Sequence, residues 1–452
     1  MNEYGMVGAL EVGPGTDLAK GHVEVVVTPF TIRQVQVRGN RWFSEKFIEN
    51  ALGLHAGRAM DRRSLDRAAE AENRLNNNAS LKLSSLMDKV DARTMDVHVN
   101  ARDRFPLRAL ASVTDPGNLQ SDELRLGLGM RYDNLFGRGQ LLGYNLGTTS
   151  RFDFDEAQSH SAFYLVPFYD SGDSFLLQAS YSEANAAVVL DDLQFEGKGF
   201  QANTAYTLLL PRAWRIEHQM VFSSAYKRAE NNLSLTGAPV QGTRTALLNF
   251  SLQYGAVLED AGGITSLTVV GGGSPGDYVG DDDRAAYQAV RFGADPQYGT
   301  LVWGVGRSQK LPWEMNLNVS LSGQIASGPL LSTEQFALGG RSTVRGYNEN
   351  QILADEGFLA RTEMISPDLF RLAAVGEYGD LRPFVFFDYG TGELLDSQIG
   401  EDPSRDIAST GIGLRYRYQD YVSASVIFAQ TLREDGAYDG NNRLLFEVAL
   451  QY

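Results

Sequence analysis

The sequence contains no cysteine and no long apolar run, and acidic side chains outnumber basic ones. Without cysteine the chain cannot form disulfides, thiolate zinc sites or cysteine nucleophiles. No uncharged apolar run approaches the roughly 18 to 20 residues that a membrane-spanning helix needs, which excludes a helical membrane protein. With 40 Lys and Arg against 56 Asp and Glu, the formal net charge is −16, which argues against binding nucleic acid through its phosphates.

Glycine and aromatic residues, by contrast, are abundant. The 452 residues include 47 Gly, 20 Tyr, 23 Phe and 4 Trp, and 43% of the chain is apolar. That apolar share is enough for a folded protein and excludes wholesale disorder. The length would ordinarily correspond to about two or three domains. Glycine, aromatics and spread charge together are typical of all-β chains.

Residues 30–103 predict a small α+β domain with the order β-α-α-β-β. Phe30–Asn40 alternates like a strand, and Ser44 and Asp61 are suitable N-caps for two following helices. The second helix should carry an apolar stripe and be followed by two strands: Leu65, Ala68, Ala69 and Leu75, then Leu81–Met87 and Thr94–Ala101.

From about residue 104 the helical period gives way to strict alternation of apolar and polar residues. Sixteen such segments of roughly ten residues lie between Leu107 and Tyr452, an even number, as in single-chain bacterial barrels. A soluble β-sandwich would also alternate. Here, however, the apolar faces are long and topped by aromatics, and the opposite faces carry small and charged residues that suit a wet lumen. The fold is therefore predicted to be mainly β, with a 16-stranded antiparallel transmembrane β-barrel over 104–452.

The connections between these segments fall into a short and a long class. Short turns on one side and long loops on the other are the pattern of an outer-membrane barrel. The short class comprises Asn134–Gly139, Asp170–Asp173, Pro211–Trp214, Glu259–Gly263, Lys310–Trp313 and Gln419–Asp420, and the long class Gly271–Gln297, Ser327–Glu356 and Gly390–Asp406.

The last segment, Arg443–Tyr452, ends the chain on an aromatic residue. An ordinary amphipathic strand would explain its alternation but does not require a terminal aromatic. The ending resembles the C-terminal signal by which outer-membrane barrels are recognised for insertion. In that reading the signal residues are Phe446, Val448, Leu450 and Tyr452.

No motif predicts an enzyme, a metal site or a cofactor. Gly272–Gly276 matches G-x-S-x-G, but the hydrolase motif needs a catalytic His downstream, and all five His precede it; a flexible loop is the better interpretation. Asp281–Asp283 lacks the spaced ligands of a calcium loop, so a solvated acidic loop is expected. No catalytic residue and no metal ligand is assigned.

The long connection Ser327–Glu356, between the eleventh and twelfth predicted strands, contains Val344-Arg345-Gly346-Tyr347. Here the sequence resembles the outer-membrane two-partner secretion translocators of the hemolysin/hemagglutinin secretion-activation type. These belong to the superfamily that also holds the barrel-assembly insertases. Their hallmark is a Val-Arg-Gly-Tyr or Val-Arg-Gly-Phe tip on the sixth extracellular loop, which folds back into the barrel.

The resemblance implies a partner for Arg345 on the thirteenth strand. In the family this is the Asp of a Phe-x-Asp-x-Gly type pattern, which points to Asp388 within Phe384–Gly390. A carboxylate would offset the desolvation of a lumenal arginine and fix the loop. The alternative is an unrelated surface Arg and a hydrated lumenal Asp. The supporting residues implied by the resemblance are Gly357, Arg361, Glu363, Phe387 and Gly390.

Residues 30–103 likewise resemble the family's periplasmic polypeptide-transport-associated (POTRA) domain, whose sheet edges can receive an extended client as an added strand. Family members usually carry a signal peptide and two such domains. Residues 1–20 show no signal-peptide pattern. Residues 1–29, with a strand at His22–Thr28, look like a linker or the remnant of a preceding domain. A truncated chain or a misplaced start codon is the simplest hypothesis.

The resemblance therefore implies a passive outer-membrane pore that binds an unfolded partner protein in the periplasm and passes it to the cell surface. No cofactor is implied. The expected partners are a large secreted adhesin or cytolysin, outer-membrane lipid and the barrel-assembly machinery, with no nucleic acid. An insertase of the barrel-assembly type is the alternative. A diffusion porin would explain the alternation but neither the N-terminal domain nor the loop motif.

Overall fold

The computed structural model describes residues 8–60, 62–76, 80–91, 93–115, 124–149, 151–187, 193–235, 238–433 and 442–452. The chain divides into two compact units. The first runs to Arg108 and includes Arg131–Leu142 and Tyr164–Ser174, and the second contains the remainder. Across the described segments, no helix combines the length and the apolar character needed to cross a membrane.

The first unit contains a β-hairpin and a three-stranded sheet with two helices. In the hairpin, β1 (Gly8–Val12) pairs antiparallel with β2 (Val25–Pro29). The sheet has the order β3-β5-β4, with β3 parallel and β4 antiparallel to the central β5. Its elements follow the predicted β-α-α-β-β order: β3 (Thr31–Arg38), α1 (Glu45–Leu52), α2 (Arg62–Asn76), β4 (Leu81–Lys89) and β5 (Thr94–Asp103).

Capping and burial explain the helices of this unit. The Ser44 side chain accepts a hydrogen bond from the Phe47 N–H, and Gly53 ends α1 in the left-handed conformation. Ala71, rather than the predicted Ala69, is buried on α2, because it lies three residues after the buried Ala68 on the same helical face. The predicted cap Asp61 lies outside the described residues.

Two aspartates fix the ends of β5. Near its start, Arg33 Nε donates to Asp96 Oδ1 at 2.8 Å and Gln34 Nε2 to Oδ2 at 2.7 Å. The hydrogen bond from Arg33 lowers the pKa of Asp96. At its end, Asp103 accepts backbone N–H groups of residues 41–43, which ties the turn before α1 to the sheet.

Within the described residues, sixteen antiparallel strands close into one barrel, which confirms the predicted number. Closure joins the last strand to the first, from Glu447↔Thr114 to Gln451↔Leu110. Two further strands, β17 (Phe336–Leu338) and β18 (Ile352–Ala354), pair only with each other. The barrel strands are β6 (Leu107–Thr114), β7 (Arg125–Leu135), β8 (Gln140–Thr149), β9 (Ala157–Pro167), β10 (Ser174–Ala187), β11 (Leu193–Leu209), β12 (Ile216–Leu235), β13 (Ala238–Asp260), β14 (Gly263–Ser274), β15 (Tyr298–Lys310), β16 (Asn316–Ala326), β19 (Glu356–Ile365), β20 (Asp380–Glu393), β21 (Ser404–Tyr418), β22 (Val422–Thr431) and β23 (Asn442–Gln451).

Several strands are longer than the predicted ten residues. β12 and β13 have 20 and 23 residues, against the roughly 9 to 11 that cross a membrane, so their hairpin projects beyond the bilayer on the long-loop side. The predicted loop Gly390–Asp406 is shorter than expected, because β20 continues to Glu393 and β21 begins at Ser404.

Two predicted loops on the long-loop side are more ordered than expected. Gly272–Ser274 ends β14 and does not form a flexible loop. Asp282 is buried and accepts the N–H groups of Tyr278 and Val279, and Asp283 caps the short helix α3 (Arg284–Val290). These aspartates therefore organise the chain locally, and among the described residues no cluster of His, Asp or Glu could hold a metal ion.

Truncating a buried leucine of β4 tests the core of the first unit. Leu81→Ala removes a side chain that is 0% exposed and should destabilise the unit by about 2–5 kcal/mol through the cavity it leaves. Hydrogen exchange of the full chain in detergent should then show faster exchange of β4 and β5 amides. Leu86→Ala, on the same strand but 59% exposed, is the control and should change exchange little. Equal effects of the two would contradict this core.

Candidate functional site

The connection between β16 and β19, residues 327–355, folds onto the barrel wall through an apolar cluster. The small β17–β18 hairpin lies at its base. The cluster joins loop side chains to Leu359 on β19 and Ile407 on β21, and its loop members are Leu338, Val344, Tyr347, Ile352 and Ala354. The loop is therefore packed like a protein core.

Glycines on the two facing strands make room for this loop. A Cβ on Gly390 of β20 would stand 2.8 Å from Leu338 Cδ2 and 3.1 Å from Val344 Cγ2. A Cβ on Gly357 of β19 would collide with the Phe336 ring. The loop side chains thus lie directly on the strand backbones, and a side chain at either position would push them aside.

Arg345, at the tip of the loop, is 1% exposed and pairs with the fully buried Asp388 of β20. Its Nε donates to Asp388 Oδ2 at 2.6 Å and its Nη2 to Oδ1 at 2.7 Å, a bidentate contact. Its backbone N–H also donates to Oδ2, at 3.2 Å. The Phe386 ring lies under the guanidinium, 3.6 Å from its central carbon.

Further charged groups complete what we call the Arg345 cluster: Arg345, Asp388, Glu363, Arg361 and Arg415. Arg345 Nη1 donates to Glu363 Oε1 at 2.5 Å, and Arg415 Nη2 donates to both oxygens of Glu363. Arg361 Nη1 donates to the Ser342 carbonyl at 2.7 Å, and its Nε lies 3.5 Å from Asp388 Oδ1. Each carboxylate therefore faces two guanidinium groups, so neither is left unpaired away from water.

Gly346 and Tyr347 fix the chain just after Arg345. Gly346 has a φ of 94°, in the left-handed region that glycine adopts without strain. The Tyr347 hydroxyl lies within hydrogen-bond distance of the Ala408 and Arg433 carbonyl oxygens, at 2.9 and 2.7 Å. The tip is therefore attached to β21 as well as to β19 and β20.

Nine of the ten loop and strand residues singled out in the sequence come together at this site, and Phe387 does not. Phe387 is adjacent to Asp388 in a strand, so its side chain points to the opposite, outer face, where it is 48% exposed. Phe386 is the aromatic that contacts Arg345. Strand alternation alone could have selected it, since Phe384, Phe386, Asp388 and Gly390 share one face. Arg415 was also missed.

The C-terminal residues lie away from this site, at the closure of the barrel. Tyr452 and Ala109 exchange two backbone hydrogen bonds, of 2.9 and 3.1 Å. The side chains of Val448, Leu450 and Tyr452 are exposed on the outer surface, and Phe446 shares their side of β23.

A family model and a curated relative both match most of the sequence. The family model described as "Haemolysin secretion/activation protein ShlB/FhaC/HecB" matches residues 94–416. The heme/hemopexin transporter protein HuxB of Haemophilus influenzae strain Rd is 24% identical over 422 residues, which cover 89% of this chain and 70% of HuxB.

Solved structures show the same fold. CdiB from Escherichia coli superposes with a TM-score of 0.81 at 18% identity, over 98% of this chain and 80% of CdiB. BamA from Haemophilus ducreyi, lacking POTRA domains 1–3, gives 0.61 at 14% identity, over 98% of this chain and 89% of that one. Because the family model covers most of the sequence, the chain belongs to the ShlB/FhaC/HecB haemolysin secretion/activation family, the outer-membrane translocators of two-partner secretion.

Proposed function

We propose that this outer-membrane pore passes one unfolded partner protein from the periplasm to the cell surface, and that the Arg345–Asp388 contact holds loop 327–355 in its working position. The observation that supports the second part is the burial of Arg345 inside the barrel with a bidentate carboxylate partner. Burying an arginine at this place costs desolvation free energy unless a carboxylate pairs with it. The paired geometry then fixes the loop that carries the arginine.

In this proposal residues 30–103 form a POTRA domain that receives the client in the periplasm. β3 and β4 are the edge strands of its sheet, where an extended segment can add. Parts of both edges are occupied within the domain. The Ile32 N–H and carbonyl bond to residues 57–58, and the Leu83 and Ser85 N–H groups bond to side chains of α2. The ends of the two strands, at Arg38 and Lys89, are therefore the positions assigned to client contact.

The client itself is proposed by class. The family moves secreted proteins, and a large adhesin or cytolysin is the client class that the loop resemblance implies. The HuxB relative is described as a heme/hemopexin transporter, which makes a secreted heme- or hemopexin-binding protein a second candidate. Outer-membrane lipid and the machinery that inserts barrels are the other partners in this proposal, the latter through Phe446, Val448, Leu450 and Tyr452.

Removing the loop-tip arginine tests whether the Arg345–Asp388 contact holds loop 327–355 in place. Arg345→Ala leaves Asp388 buried without its main partner, at a cost of about 3–5 kcal/mol, so the loop should leave its position. Secretion of the large product of the neighbouring gene into the medium should be lost, while the barrel still inserts and shifts on unheated gels. Arg371→Ala, at an exposed ion pair with Glu314, is the control and should secrete normally. Wild-type secretion by Arg345→Ala would show that secretion does not depend on the Arg345–Asp388 contact.

Photo-crosslinking tests the client position on the domain. p-Benzoylphenylalanine introduced at Arg38 or Lys89 should form adducts with the secreted partner when both proteins are expressed together. The same group at Glu70, on the exposed side of α2, is the control and should form none. Adducts only at Glu70 would place client binding on the helical face and overturn the edge-strand model.

Depletion separates the translocator from the insertase alternative. A translocator serves its own client, so depletion should remove that protein from the medium and leave the outer-membrane protein profile unchanged. The likeness to BamA concerns the fold alone, and the family match favours secretion. General loss of outer-membrane proteins on depletion, scored by quantitative proteomics, would support the insertase.

A further inference from the structure

Three loops at the long-loop end of the barrel meet at the carboxylate of Asp355, which is 0% exposed. We name them loop 5 (275–297), loop 6 (327–355) and loop 7 (394–403). Oδ2 accepts from Arg291 of loop 5 at 2.5 Å and from the Leu395 N–H of loop 7 at 2.8 Å. Oδ1 accepts from the Leu330 N–H at 2.9 Å and from Gln335 Nε2 at 3.1 Å, both in loop 6. One carboxylate thus joins all three loops.

Loop 6 also reaches the opposite wall of the barrel. Glu334 Oε1 accepts from Lys227 of β12 at 2.7 Å, and Oε2 accepts from Asn249 of β13 at 2.6 Å. Further along the same loop, Arg341 lies 3.1 Å from Glu447 of β23. β12 and β23 are the seventh and sixteenth barrel strands and so lie on opposite sides of the closed sheet. Loop 6 therefore crosses the lumen.

Apolar packing closes the space between loop 5 and loop 6. Tyr287 of α3 is buried against Leu330 and Leu331 of loop 6 and against Leu247 of β13. Strand alternation places Leu247 on the same interior side of β13 as Asn249 and Ser251, so it is an apolar residue on a mainly polar face. It is apolar because the two loops, and not water, cover it.

We infer that Asp355 and Glu334 are positioning residues that hold loops 5, 6 and 7 as one cap across the outlet of the resting pore. Asp355 fastens the loops to each other, and Glu334 fastens the cap to the wall opposite the Arg345 cluster. A client leaving the pore has to displace these contacts, whereas the Arg345–Asp388 contact stays in place on β20. The inference rests on the pore function of the family and not on the identity of the client.

Neutralising Asp355 tests the cap. In Asp355→Asn the amide nitrogen cannot accept, so either the bonds from Arg291 and Leu395 or those from Leu330 and Gln335 are lost, and the charge that Arg291 pairs with is removed. The loops should therefore separate more easily. The purified full chain in planar lipid bilayers should show a resting conductance raised at least about threefold. Secretion should remain within about twofold of wild type, because the Arg345 cluster is unchanged. Asp295→Asn, at a surface ion pair within loop 5, is the matched control and should keep the wild-type conductance.

Two further variants test the cap independently, in case Asp355→Asn disturbs the folding of the barrel. Glu334→Gln removes the negative charge and one of the two acceptors of the wall contact, so it should raise the conductance independently, with normal gel mobility of the unheated barrel. Arg291→Gln combined with Asp355→Asn should conduct no more than Asp355→Asn alone if the two act through one contact. Unchanged conductance in Asp355→Asn and Glu334→Gln, or a further increase in the double variant, would overturn the cap.

Discussion

The burial of one arginine inside the barrel is the constraint on which the rest of the site depends. A guanidinium held away from water needs carboxylates in fixed geometry. Arg345 finds them on two adjacent strands. Both oxygens of Asp388 bond to Arg345, with Arg361 nearby, and the second oxygen of Glu363 is occupied by Arg415. The loop tip can occupy only the position at which these bonds form together. Its left-handed glycine and buried tyrosine follow from that position.

Successive residues on the inner face of β20 make different contacts with the loop and with the Arg345 cluster. Phe384 and Phe386 supply ring faces to Arg415 and Arg345, Asp388 supplies the charge, and Gly390 leaves space for Leu338 and Val344. Because alternate residues share a face, aromatic, acidic and small side chains follow each other at intervals of two. A single strand therefore provides the stacking surface, the ion pair and the seat for the apolar part of the loop.

The number of barrel strands could be predicted from the sequence, because apolar and polar residues alternate in each strand. The position of loop 6 and the pairing of Arg345 with Asp388 could be predicted from the family motif. The sequence was insufficient where contacts depend on what covers a residue. Leu247 interrupts a polar face, since loops rather than water lie against it. Asp355 bonds to residues up to 64 positions away, with no periodicity that could indicate them. The family resemblance implies Phe387, whereas strand parity favours Phe386, which is the ring that contacts Arg345.

The two sets of carboxylate contacts differ in what they hold. Asp388 and Glu363 belong to barrel strands, whose pairing must persist in lipid because every backbone polar group there needs a partner. Asp355 instead receives backbone N–H groups and side chains from loops outside the membrane-spanning strands, where water can take the place of those bonds once the loops separate. The Arg345 cluster is thus built into the rigid wall, and the loop contacts at Asp355 are built to be replaceable. The proposed opening of the outlet, with the loop still anchored at Asp388, requires this division.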